Sequence, residues 1–165
     1  MAFQLDVLVT QSVFDRLIDQ DPQNKSEAAL THAESVRRLR IAVRRDLEWL
    51  LNSRRVAFPP DPALHELNQS LYVYGLPDIS TVSLGSKGDQ DRLLAAIERT
   101  IEIFEPRLTS VRVIPVRDPA KKSIQRLDFR IEALLIMDPS PEQITFDTTL
   151  DGVSQSYKVK TEGAE

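Results

Sequence analysis

The sequence predicts an α+β domain, with N-terminal helices packed on a C-terminal, mainly antiparallel sheet of about four strands. Up to Phe104 apolar residues recur every three or four positions, the period of an amphipathic helix. Beyond Leu108 they alternate, the period of a half-buried strand. The changeover falls on Glu105-Pro106-Arg107, where proline disfavours a helical conformation at Glu105, so the helix ends at or before that residue and the chain leaves extended. Helices first and an antiparallel sheet afterwards is the order of an α+β fold.

In chain order, Val9 to Ile18 has Val13, Phe14, Leu17 and Ile18 at helical spacing, which predicts a short helix bracing the domain. Asp21-Pro22-Gln23-Asn24-Lys25-Ser26 is a polar breaker cluster, and the stretch onward to His32 reads as a mobile linker. Ser35 to Arg55 predicts the longest helix: Val36, Leu39, Val43, Leu47, Leu50 and the stem of Arg54 form one stripe that must face the core. This stretch holds seven arginines against Asp46 and Glu48, a local charge of +5 in a chain whose net charge is −4. With no aromatic residues interleaved among Arg37, Arg38, Arg40, Arg44 and Arg45, the favoured reading is a face paired with acidic groups of the same domain, ahead of a footprint for nucleic acid or an acidic protein. Trp49, the single tryptophan, lies off the stripe and is expected to pack on a neighbouring element.

Phe58-Pro59-Pro60 breaks the chain, and Asp61-Pro62 has the form of an N-cap followed by a first helical residue. A helix is therefore predicted with Leu64, Leu67, Leu71 and Tyr74 on its apolar stripe and Gly75 as its C-cap. Asp78 is expected to cap a turn starting at Ile79. Gly85-Ser86-Lys87-Gly88 reads as a polar loop without the spacing of a phosphate cradle. Asp89 to Phe104 predicts a helix, and Leu108 to Val116 a strand. A hairpin loop through Asp118-Pro119 and Lys121-Lys122 leads to the central strand, Ile124 to Met137, with Leu127, Phe129, Ile131, Ala133 and Leu135 on one face. Strands at Gln143 to Thr148 and Ser154 to Thr161 follow, separated by a turn at Asp151-Gly152. The organisation expected is an N-terminal helix and linker over residues 1–34, a single domain over 35–161 and a disordered tail over 162–165.

Composition narrows the function. Hydrophobic residues make up 41% and charged residues 28% of 165 residues, globular values for one core. No segment approaches the roughly 20 apolar residues a membrane helix needs, so no membrane insertion is expected. Met1 to Gln11 lacks a basic n-region, so no secretory signal is expected. The chain has no cysteine, hence no thiol nucleophile, thiolate metal site or disulfide, which fits the cytoplasm. His32, in the expected linker, and His65 share no metal-ligand spacing. No cofactor is expected.

One candidate site remains: Glu105, Pro106 and Arg107, an acid and a base at a backbone bend. The pair either closes the helix end internally or offers a docking point to a partner. As the general acid of a glycosidase, Glu105 needs a second carboxylate across a cleft, which the sequence does not place, and Arg107 favours the charged carboxylate, the opposite of what a general acid needs. Catalysis is not expected.

Three ordered motifs carry a resemblance across most of the chain, from about Ser12 to Val159: Ser35-Val36 leading to Asp46-Leu47-Glu48-Trp49-Leu50-Leu51-Asn52-Ser53-Arg54-Arg55; Ser70-Leu71 with Tyr74-Gly75-Leu76-Pro77-Asp78; and Glu105-Pro106-Arg107-Leu108. On these the chain resembles the TssE family of bacterial type VI secretion baseplate subunits, relatives of the phage baseplate wedge proteins labelled "gene 25-like lysozyme". It departs from that family in the basic run Arg37 to Val43. The resemblance implies a structural subunit in a cytoplasmic baseplate docked at the inner membrane, bound to the wedge subunits TssF and TssG and linked to the first ring of sheath subunits. It implies that Glu105, Pro106 and Arg107 bind partners, and that a sheath strand adds to an exposed sheet edge, for which Ser154 to Thr161 is the candidate, with Lys158 and Lys160 suppressing indiscriminate pairing. The alternative is a muramidase-like peptidoglycan hydrolase.

Overall fold

The computed structural model describes residues 12–17, 31–58, 60–80, 82–116, 125–138 and 140–161. Met1 to Gln11, the linker expected after Asp21, the hairpin loop at Asp118 to Lys122 and the tail expected over 162–165 lie outside them. Among the described residues three α-helices, α1 (Val13–Leu17), α2 (His32–Asn52) and α3 (Lys87–Phe104), precede four strands, β1 (Leu108–Pro115), β2 (Arg126–Leu135), β3 (Glu142–Asp151) and β4 (Ser156–Thr161). The strands form an antiparallel meander in the order β1-β2-β3-β4, so the α+β architecture expected from the two periodicities is the one observed.

The core lies between one face of this sheet and α2 and α3. Leu127, Phe129, Ile131, Ala133 and Leu135 of β2 are buried as the alternation predicts, against Leu39, Val43, Leu47 and Leu50 of α2 and Leu93, Leu94, Ile97 and Ile101 of α3. α2 lies along β4 and α3 along β1. In β1 both Leu108 and Val111 are buried, although three residues apart they belong on opposite faces of a regular strand. A bulge between Thr109 and Arg112 resolves this, with Ser110 at φ 53° absorbing the extra residue.

Several expectations need correction. α2 begins at His32, not Ser35, because Thr31 is the N-cap and its hydroxyl accepts from Glu34 N at 3.3 Å; His32 is helical rather than part of a linker. The helix stops at Asn52, so Arg54 lies past its end, in a parallel bridge with Leu76. α3 starts within the expected polar loop, at Lys87, and β3 runs on past Thr148 to Asp151. The apolar residues of α1 do not pack inward: Val13 and Leu17 are 71% and 77% exposed.

The largest difference is at residues 61–74, where the predicted helix is replaced by two 3-10 turns, Leu67–Gln69 and Leu71–Val73. Asp61 does open a turn, its carboxylate accepting from Ala63 N at 2.9 Å. Polar side chains then compete with the helical ladder. The Asn68 amide donates to Asp61 O and Leu64 O, and Ser70 turns extended at φ −87°, ψ 168°, its hydroxyl accepting from Tyr72 N. Leu64 and Leu71 are left exposed. Gly75 is left-handed at φ 97°, yet it caps no helix: a Cβ there would lie 2.3 Å from Ser53 O, so glycine lets this segment press against the end of α2, where Leu76 N donates to Ser53 O and Arg55 N to Leu76 O.

Candidate functional site: the joint between α3 and β1

Glu105 is the C-cap of α3, at φ −121°, ψ 78°, its N–H still bonded to Ile101 O at 2.9 Å. Pro106 prevents a further helical residue, and Leu108 N returns to Glu105 O at 3.0 Å, closing a turn that launches β1. Ile136 N donates to Arg107 O at 2.8 Å, which ties the turn to the end of β2.

The side chains turn inward. Glu105 is only 4% exposed, and Arg107 grips it through two parallel bonds, Nε to Oε1 at 2.6 Å and Nη2 to Oε2 at 2.5 Å, the bidentate geometry in which guanidinium and carboxylate pair best. Arg107 Nη2 also donates to Asp46 Oδ2 of α2 at 2.7 Å. The acid and base of the bend therefore pair internally. Burial opposes the Arg107 charge, but the Glu105 and Asp46 carboxylates outweigh it and raise the guanidinium above its ordinary value.

Asp46 is itself shared, its Oδ1 accepting from Arg45 Nε and Nη2 at 2.9 and 2.7 Å, and Arg45 reaches Asp15 of α1 at 2.8 Å. Beside these charges lies a cavity of about 310 Å³ lined by Ser12, Asp46, Leu50, Tyr74, Phe104 and the joint itself. Tyr74 and Phe104 meet edge to face at 5.2 Å, and burial, with Asp46 and Glu105, pushes the Tyr74 phenol up. Pro106 is exposed and the Arg107 side chain 26% exposed, so these two, with the cavity, are what the joint presents to solvent. Sequence reasoning found the Glu-Pro-Arg triplet but missed Asp46, whose separation in sequence gives no local signal.

Four of the five arginines on the exposed face of α2 pair within the domain, as the domain-internal reading expects, and Arg37 is exposed with no ion pair among the described residues. Arg38 pairs with Glu34, Arg40 with Glu142, Arg44 with Glu48 and Arg45 with Asp15 and Asp46. Trp49 is partly packed: Phe14 meets it edge to face at 6.3 Å and the Arg45 guanidinium stacks 4.9 Å from its ring centre, while 53% of the residue is exposed.

The candidate edge, β4, is an edge strand but not an exposed one at its centre. The Asn52 side chain accepts from Tyr157 N and donates to Tyr157 O, both at 2.9 Å, and Arg44 donates to Val159 O at 3.3 Å. Helix side chains thus occupy the positions a fifth strand needs. The opposite edge, β1, has Val113 N bonded to Glu98 at 3.0 Å and at Pro115 no N–H to offer. Among the described residues no group of three or more His, Asp or Glu is placed to hold a metal ion, and no helix is long and apolar enough to cross a membrane.

Fold and site together define an α+β domain with a helix-to-strand joint clamped by its own ion pairs. The family described as baseplate wedge protein gp25 matches residues 37–140, more than half of the chain, and the chain belongs to that family. The match takes in Asp46 and the whole joint; α1, β3 and β4 lie beyond it. Comparison with curated proteins and with solved structures gives no match. Membership makes the chain a structural baseplate component that interacts with other baseplate components.

Proposed function

We propose that this chain is the TssE-type, non-enzymatic wedge subunit of a type VI secretion baseplate, held at the cytoplasmic face of the inner membrane, which docks on TssF and TssG through the joint and links the wedge to the first sheath ring. Family membership over the joint carries the reading. The geometry refines it: Glu105 is buried and fully engaged, so it sets the shape of the docking surface, and Pro106, the outer face of Arg107 and the adjoining cavity make the contact. A sheath strand that joins at β4 replaces Asn52 and Arg44 on Tyr157 and Val159.

A hydrolase reading has one observation in its favour, since Asp46 supplies a second carboxylate near Glu105. Both acids accept from the same Arg107 guanidinium nitrogen, so that group, rather than a substrate, occupies the space between them. The test is co-purification of Arg107→Ala with TssF and TssG at a temperature where circular dichroism shows the variant folded. Loss of the wedge partners is expected; retention at the wild-type level rejects the docking role. Clearing of a peptidoglycan suspension by the wild type, abolished in Glu105→Gln, rejects the non-enzymatic role.

A further inference from the structure

Five side chains of alternating charge run from α1 to the joint: Asp15, Arg45, Asp46, Arg107 and Glu105. Each inner member is shared between two opposite neighbours. Arg45 divides its donors between Asp15 and Asp46, and Asp46 gives Oδ1 to Arg45 and Oδ2 to Arg107. The side chains are between 5% and 26% exposed, so solvent screens them less than a surface pair. In such a network, withdrawing one charge redistributes the bonds of the next.

The end of this relay is weakly built. A helix of five residues is too short to hold itself, and with Val13 and Leu17 exposed the contacts that attach α1 among the described residues are those of Asp15, with the Ser12 hydroxyl donating to it at 2.5 Å, and of Phe14 with Trp49 and Arg45. We propose that Arg45 and Asp46 are positioning residues for the Glu-Pro-Arg joint and that α1 is a latch coupled through them to Arg107. When Arg107 leaves Asp46, the freed carboxylate draws Arg45 inward and Asp15 loses its partner. When α1 lifts, Arg45 turns wholly to Asp46, whose hold on Arg107 slackens. The coupling is reciprocal, as linkage requires. It rests on the docking reading only for its consequence, that a partner engaging Arg107 releases α1.

The relay is testable in the isolated chain, because Trp49 is the single tryptophan and sits under Phe14. Acrylamide quenching of its fluorescence is expected to rise in Asp15→Asn and, from the far end, in Arg107→Gln, with Arg107→Lys in between. The double variant is expected to exceed the larger single effect by little, since both cut the same chain. Asp15→Glu restores protection. Arg38→Gln, which breaks the pair with Glu34 on the same helix but outside the relay, leaves quenching at the wild-type value. Wild-type quenching in both Arg107 variants, or simple additivity of Asp15→Asn and Arg107→Gln, overturns the proposal. Neither outcome depends on TssF or TssG binding, so failure here and failure of the docking reading are separate results.

Discussion

The C-terminal ends of α2 and α3 both seal a helix to the sheet, and neither carries a basic residue in its last turn to satisfy the helix dipole. α2 ends on a neutral amide: Asn52 meets both backbone groups of Tyr157 as a residue of a neighbouring strand does, and adds a bond to its own helix at Glu48 O. α3 ends on a buried carboxylate held by two short bonds from a guanidinium in the next turn of chain, with only a long backbone bond from Arg107 N at 3.3 Å beside them. The first seal depends on hydrogen-bond geometry, and the second on charge compensation around a buried carboxylate. The two ends therefore differ in what breaks them.

The sharpest break is at α3. Glu105→Ala leaves Arg107 half-buried with Asp46 as its remaining anion, and loss of one partner of a buried pair typically destabilises by several kcal/mol; because Asp46 stays, a loss of about 2–4 kcal/mol is expected, read as a drop in thermal midpoint by circular dichroism. At α2, Asn52→Ala strands the Tyr157 N–H and C=O at the sheet edge, for an expected loss of about 1–3 kcal/mol. Asn52→Asp sharpens the point: it keeps the acceptor for Tyr157 N but sets a charge against two carbonyl oxygens, so it is expected to be no better than alanine. A variant as stable as wild type at either position shows that the seal is incidental.

The smallest effect distinguishes the ends by pH. At the outer end of the charged network, burial of Asp15 opposes its charge, but the Ser12 hydroxyl and Arg45 guanidinium outweigh it and hold the carboxyl below its ordinary 3.8. A depressed value places the stabilisation above pH 3.8, and it is lost as pH falls through the lower folded value. Trp49 quenching is expected to rise across that range and to lose this step in Asp15→Asn. The Asn52 contact has no titrating group and gives no such step. A wild-type acid transition in Asp15→Asn rejects the assignment.

Much of this was legible in the chain. α3, the turn at Pro106 and the buried face of β2 follow from periodicity and one proline, because each is enforced locally and then reinforced by burial. The segment 61–74 misled for an equally physical reason. Its leucine spacing is helical, but a stripe organises a helix only when something covers it, and here Asn68 and Ser70 satisfy the backbone by themselves while Leu71 stays 81% exposed. Asn52 carried no signal at all, since one polar residue at a helix end looks like a cap until a strand backbone stands opposite.

By itself, then, the sequence determined α2, α3 and the four strands in order, the faces that α2, α3 and β2 bury and the place where helix gives way to sheet, but not residues 61–74 or the seating of α1, since only the former follow from side-chain period and backbone sterics within a few residues. Tertiary structure alone decided which way Glu105 and Arg107 point. That choice depends on Asp46, 61 residues away along the chain, and on the packing that buries the Glu105 carboxylate, neither of which is written into the triplet.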